Sequence, residues 1–174
     1  MPNHIQHVVV PGTFDPVTLG HVDVINRARH LFPQVTVAVA ESRTKRGVGT
    51  AFTLEERVDM LREALEEQGV ASLGGIRVLP FTGLLVDFCR EQGAGGVVKG
   101  LRAMTDFESE LQQADLNAQL APDLESVFVM SNPGYGYVSS SIVRELAMLG
   151  GPVDLLVPTC VVKRLEEHYG SMEA

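Results

Sequence analysis

Two cysteines, no lysine- and arginine-rich run, and no continuous apolar stretch near the roughly 18 residues of a membrane span exclude several classes before any motif is read. Cys89 and Cys160 lie far apart and match no metal-binding or redox spacing, so both are expected to be buried thiols without a disulfide between them. A formal charge of −8 with no basic tail argues against a nucleic-acid binder held by phosphate neutralisation, and any polyanion must be met by a local basic cluster. Met1-Pro2-Asn3-His4 lacks the charged and apolar regions of a signal peptide. The expectation is a soluble, cytoplasmic protein with neither membrane nor nucleic acid as partner.

Familiar signatures are missing too. Gly47-Val48-Gly49 and Gly134-Tyr135-Gly136 each begin like a dinucleotide fingerprint, but Phe52 and Ser139 stand where the third glycine belongs. No Gly-Lys-Ser/Thr ending marks a P-loop. No Ser/His/Asp set, cysteine nucleophile or carboxylate pair stands out beside the cationic residues described below.

What is present is a compact α/β pattern. The 174 residues, 45% hydrophobic and 21% charged, suit one domain over residues 1–174. Apolar runs at 7–11, 35–40, 76–80, 96–99 and 126–130 read as strands, and the longer segments between them as helices. This predicts a single Rossmann-like α/β domain, a five-stranded parallel sheet with helices on both faces. Phe107, Leu111, Ala114 and Ala118 recur at helical spacing, as do Leu84, Leu85, Phe88 and Cys89. Thr53 with Glu56 and Thr105 with Glu108 have the order of capping boxes at helix starts. A further helix is expected over 142–149 after three hydroxyls, and a last one ending at Gly170. The glycine-rich piece at 46–50 reads as a loop.

The most informative segment is Val10-Pro11-Gly12-Thr13-Phe14-Asp15-Pro16-Val17-Thr18-Leu19-Gly20-His21, a buried strand emptying into a broken turn and a helix start. Free N–H groups and the positive end of a helix dipole at that edge of a sheet suit an anion, above all a phosphate. Lys45, the group Lys99-Gly100-Leu101-Arg102 and the hydroxyls Ser139, Ser140 and Ser141 also follow expected strand ends, and such ends converge on one crevice. Two lysines, an arginine, an imidazole and several hydroxyls fit a triphosphate together with a second phosphate. An ionised phosphate attacking a nucleotide α-phosphate needs no general base, only positioning and charge stabilisation by Lys, Arg, His and Mg²⁺. Each residue alone has a plainer reading. His21 could cap a helix, Lys45 and Lys99 could be solvated charges, the serines a cap, and Glu110 on its spacing a solvated helix residue. His4, His7, His30 and His168 receive no function.

These segments, with Phe52-Thr53-Leu54-Glu55-Glu56-Arg57, Asp106-Phe107-Glu108 and Val138-Ser139-Ser140-Ser141, closely resemble the bacterial phosphopantetheine adenylyltransferase family from the first strand to the last helix. The resemblance implies that ATP and phosphopantetheine react to dephospho-coenzyme A and pyrophosphate with Mg²⁺ assisting, in a homohexamer open to coenzyme A as feedback inhibitor, and that the protein itself supplies no metal ligand. It implies catalytic roles for His21, Lys45 and Arg102, and contacts to phosphopantetheine from Thr13, Lys45, Leu85 and Lys99. It places Thr13, Phe14, His21, Gly100, Leu101, Arg102, Glu110, Tyr135, Gly136, Tyr137, Val138, Ser139, Ser140 and Ser141 around ATP. Lys99 stands where many relatives carry Arg, Ser109 where they often carry Tyr, and the stretch at 46–51 is longer than usual. Two alternatives stay open: the same chemistry on another acceptor such as glycerol phosphate or nicotinate mononucleotide, and a nucleotide-binding module without catalysis. The combination of Thr13, His21, Lys45 and Arg102 weighs against the second.

Overall fold

The computed structural model describes residues 4–41, 50–102 and 104–170. The run of valines at 8–10 becomes β1 (His7–Gly12), and it is joined by β2 (Gln34–Ala40), β3 (Ile76–Phe81), β4 (Gly96–Leu101) and β5 (Glu125–Met130). The sheet order is β3-β2-β1-β4-β5 and every pairing is parallel, as the sequence pattern predicts. The chain lays strands outward from β1 to β3, then crosses back to set β4 on the other side of β1. The order therefore reverses between β1 and β4. There the pairing is short: Val8 meets Gly96 and Val9 meets Val97, whereas β1 stays paired to β2 along its full length. Such a reversal opens a crevice at the carboxyl ends of the strands.

Alternate side chains of β1 enter different cores, so both faces of the sheet are covered. Val8 and Val10 pack with Ile25 of α1 (Leu19–Leu31), Leu61 of α2 (Leu54–Glu67), Val143 of α5 (Ser140–Met148) and Leu165 of α6 (Thr159–Gly170). Val9 packs on the opposite face with Ala38, Val97 and the Val86 and Phe88 side chains of α3 (Leu85–Gln92). Gly100 matters at the seam: a Cβ there would lie 2.6 Å from Val24 Cγ2, so its bare backbone lets α1 close against β4.

Three local expectations change. Thr53 does cap α2 reciprocally with Glu56, but Thr105 lies inside α4 (Met104–Leu120) instead of capping it. Helix α5 begins at Ser140, before the expected start at 142, because Ser139 takes the cap. The expected apolar face of α4 is not what the helix buries: Phe107 and Leu111 remain 40% and 41% exposed, while Asn117 is buried. Cys89 is buried and Cys160 only half-buried; burial first of all pushes their thiols up to about 11 and about 12.

Gly100→Ala should lower stability by about 1–3 kcal/mol, the usual cost of overpacking a tight contact. Urea unfolding reads this as an earlier midpoint at unchanged slope; an unmoved midpoint would show that α1 can back away from β4 freely.

Candidate active site

The crevice between β1 and β4 is a cleft of about 350 Å³ lined by Thr13, Phe14, Thr18, Gly20, His21, Lys99, Gly100, Arg102, Glu110, Ser131 and residues 138–141, among others. The residues just past the β1–β4 pairing, Val10 and Val98, form part of its wall. Helices α1 and α5 both start at this edge, and residues of their first turns, Gly20, His21, Ser140 and Ser141, line the same space, so the positive ends of both helix dipoles lie at the cleft.

His21 is the third residue of α1 and closes a capping box with Thr18. The Thr18 amide donates to His21 Nδ1 at 3.0 Å, the Thr18 hydroxyl lies 3.1 Å from the same nitrogen, and the His21 amide donates back to Thr18 Oγ1 at 3.3 Å. A nitrogen that accepts from a backbone N–H carries no proton, so this pattern assigns the proton of the neutral ring to Nε2. Burial lowers the His21 pKa to about 4, and the charges of Arg102 and Lys99 push in the same direction. The Phe14 ring meets the imidazole edge-on at 5.1 Å, and Gly12 gives that ring room, since a Cβ at Gly12 would approach it to 2.9 Å. The cleft thus presents a neutral, fixed hydrogen-bond donor between cations.

Lys99, within β4 and not beyond its end, forms an ion pair of 3.2 Å with Glu110 of α4, both about a quarter exposed. This corrects the plain reading of Glu110 as a solvated helix residue. Arg102 donates to the Val138 carbonyl at 2.9 Å. The three serines divide their work: Ser139 Oγ accepts from the Ile142 amide, Ser140 Oγ donates to the Pro16 carbonyl at 2.8 Å, and Ser141 is exposed at the cleft.

Other residues singled out in the sequence do not line the cleft, although Tyr135 lies against Gly20. Leu85 packs against the core around Val9, the Leu101 side chain is buried, and Tyr135, Gly136 and Tyr137 stand outside the cleft lining, Tyr137 being 64% exposed. Lys45 lies outside the described residues. Sequence reasoning assigned no role to Thr18, although Thr followed three residues later by a hydrogen-bonding side chain is a cap signal it used elsewhere. Ser131 also lines the cleft at the end of β5.

Among the described residues no three His, Cys, Asp or Glu side chains stand together to hold a metal. Among the described residues, the charged groups lining the cleft are Lys99, Arg102 and a Glu110 paired with Lys99. This set suits a divalent ion that arrives coordinated by phosphate oxygens.

The arrangement is one that suits an anionic ligand in an open α/β sheet, with two helix starts, a fixed imidazole and two cations at the switch point, and comparison with known proteins gives its class as nucleotidyltransferase. Residues 9–146 match the model of the cytidylyltransferase-like family. Among curated proteins, the phosphopantetheine adenylyltransferase of Heliobacterium modesticaldum is 45% identical over 93% of this chain and 92% of its own. That of Thiobacillus denitrificans is 48% identical over 91% and 94%. Among solved structures, a bifunctional NMN adenylyltransferase/ADP ribose pyrophosphatase from Francisella tularensis shares the fold at TM-score 0.72 and 14% identity, over 98% of this chain and 51% of that one. The chain belongs to the phosphopantetheine adenylyltransferase family.

The hydrogen-bond pattern at His21 predicts that the ring keeps its Nε2 proton and does not titrate above about pH 5. Nitrogen-15 NMR of the imidazole checks both, and a midpoint near the ordinary 6.5 would contradict it. Because the folded-state pKa lies below the unfolded one, the unfolded chain binds the proton first. His21 therefore contributes stability above pH 6.5 that is lost as pH falls from 6.5 toward 4.

Proposed function

We propose that the chain transfers the adenylyl group of ATP to phosphopantetheine, yielding dephospho-coenzyme A and pyrophosphate, the penultimate step of coenzyme A synthesis. The names of its relatives support the substrates, and the observation that carries the chemistry is the neutral His21 ring held by Thr18 between Lys99 and Arg102. An oxygen of the phosphopantetheine phosphate attacks the α-phosphorus, the bond to the bridging oxygen of the β-phosphate breaks, and pyrophosphate leaves in line. The nucleophile is already ionised, so no covalent enzyme intermediate or base is required. His21 Nε2–H donates to an α-phosphate oxygen as charge builds there, and Arg102 and Lys45 share that charge. Thr13, Lys45, Leu85 and Lys99 receive phosphopantetheine, and Thr13 also touches ATP. Phe14, Gly100, Leu101, Arg102, Glu110 and residues 135–141 surround the nucleotide. Mg²⁺ held by the phosphate oxygens of ATP would supply further charge neutralisation there, beside Lys99 and Arg102.

We also take the active form to be a homohexamer in the cytoplasm, sensitive to coenzyme A. The half-exposed Phe107 and Leu111 and the other exposed apolar side chains of α4, Leu116 and Leu120, support self-association. No described helix is long and apolar enough to cross a membrane.

Pyrophosphate release from Mg²⁺-ATP tests the acceptor. It should require phosphopantetheine; release with nicotinate mononucleotide or glycerol phosphate instead would keep the chemistry and overturn the substrate, and silence throughout would favour a binding module. His21→Ala should lower kcat by about 10²–10³-fold, the typical loss for one transition-state donor, while KM for ATP stays within a few-fold. A KM that rises in step with the loss would make His21 a ligand clamp. Lys99→Ala should raise KM for phosphopantetheine more than for ATP, and the opposite order would assign the lysine to the nucleotide.

A further inference from the structure

The turn that carries Thr13 toward His21 is held largely by side chains that stand behind the cleft and do not line it. Arg57 of α2 is 2% exposed and spends its guanidinium on three carbonyls: Thr13 at 2.6 Å, Ala40 at 2.9 Å and Phe52 at 3.2 Å. These acceptors come from the end of β1, the end of β2 and the residue before the α2 cap. Asp15, 4% exposed, accepts from the amides of Ala51 and Phe52 at 2.9 and 3.0 Å. Arg144 of α5 donates to the Asp15 carbonyl and pairs with its carboxylate at 3.3 Å. Ser140 adds the bond to the Pro16 carbonyl. Residues 13, 15 and 16 are therefore each tied to another element.

Between them stands Phe14 at φ 50°, the one non-glycine residue with positive φ among the described residues. That region costs an L-residue of this bulk free energy, and it persists only where the surroundings over-determine it. Arg57 is likewise a desolvated charge, offset electrostatically by the Asp15 and Glu41 carboxylates, whose described hydrogen bonds all go from its guanidinium to backbone carbonyls of three segments. Both features are explained if the exact path of the turn has value.

We propose that Arg57 and Arg144, acting through Asp15 and the Thr13 carbonyl, are positioning residues for the adenylyl transfer: they lock the turn at residues 13–16 and with it the placement of Thr13 relative to His21. The inference rests on the reaction proposed above. Neither arginine lines the cleft. Arg57 cannot be replaced by Lys without loss, because a single ammonium cannot reproduce a planar fork spread over carbonyls from three segments.

The test compares Arg57→Lys, Arg57→Met and Arg144→Ala with the intact chain and with Arg164→Ala, a surface change at an exposed pair with Glu63. Expected are a kcat about tenfold lower in Arg144→Ala and about a hundredfold lower in Arg57→Met, with Arg57→Lys between them. KM for ATP should stay within threefold, and Arg164→Ala should match the intact chain. Amide hydrogen exchange should quicken together at residues 12–18 and 50–53 in Arg57→Lys and Arg144→Ala, and stay unchanged in β4 and β5. If Arg57→Met does not fold, the other two variants decide. An unaltered kcat in folded Arg144→Ala and Arg57→Lys, or a fall explained wholly by KM, would overturn the proposal, as would unchanged exchange in both segments. An intact chain inactive with phosphopantetheine but active with another acceptor would overturn the substrate and leave the arginine comparison to be read on that acceptor; one inactive with every acceptor would overturn the positioning role along with the reaction.

Discussion

Strands β1 and β4 stop pairing after Val9 and Val97, and the site exists because of that early parting. Elsewhere in the sheet, strands remain bonded to the end of β4 and β5, leaving no room between their carboxyl ends. At the parting, Val10 and Val98 stay in the core and back the cleft wall, the chain beyond β1 is free to make its turn, and Lys99 lines the same space. The reversal of strand order also puts the starts of α1 and α5 at one opening. Each helix brings partial positive charge without a side chain having to be desolvated, which is an economical way to receive a polyphosphate.

Within that opening, the cations and the histidine constrain one another. A protonated His21 beside Lys99 and Arg102 would add a third positive charge to a buried corner and would cost the ring its bond from the Thr18 amide. Burial is the largest cause of the pKa near 4, and the charges of Arg102 and Lys99 add to it. The result is a donor whose direction is fixed before substrate arrives. Fixed dipoles in a partly dry site need little reorganisation as charge develops, so a neutral imidazole there can serve a phosphoryl-type transition state without ever accepting a proton. Glu110 has the complementary task. Its pairing with Lys99 compensates that cation, and a phosphate bound as proposed would compete with a carboxylate for the same ammonium.

Sequence made the strands legible because each is a short apolar run between breakers, and it made Thr13, His21, Lys99, Arg102 and the serines legible because strand ends converge on a crevice in such sheets. It misread α4, since Phe107 and Leu111 look like a core face to any periodicity argument that assumes the core lies in the same chain. Residue spacing gave Glu110 only a plain reading for the opposite reason: a carboxylate on a polar helix face looks solvated unless its partner Lys99, eleven residues back in a strand, is seen. Arg57 is the instructive miss. An arginine in an acidic helix start reads as a surface charge, and nothing in local spacing reveals that its acceptors lie at residues 13, 40 and 52. Backbone carbonyls have no signature in a sequence.

The division of labour among Ser139, Ser140 and Ser141 shows why the β1 turn and α5 behave as one body. Ser139 satisfies the amide of Ile142 at its own helix start, which fixes where α5 begins. One residue later, the Ser140 hydroxyl is spent on the Pro16 carbonyl, and one turn of helix further on Arg144 reaches the Asp15 backbone and carboxylate. Side chains four apart lie on the same face of a helix, so a single face of α5 grips two successive residues of the turn. Arg102 meets this assembly from β4 through the Val138 carbonyl. A displacement of α5 would therefore carry Ser141, the turn and Arg102 with it. The groups proposed to surround the nucleotide and those proposed to act on its α-phosphate keep their spacing because the side chains of Ser140, Arg144 and Arg102 are each anchored on a backbone carbonyl of a neighbouring segment.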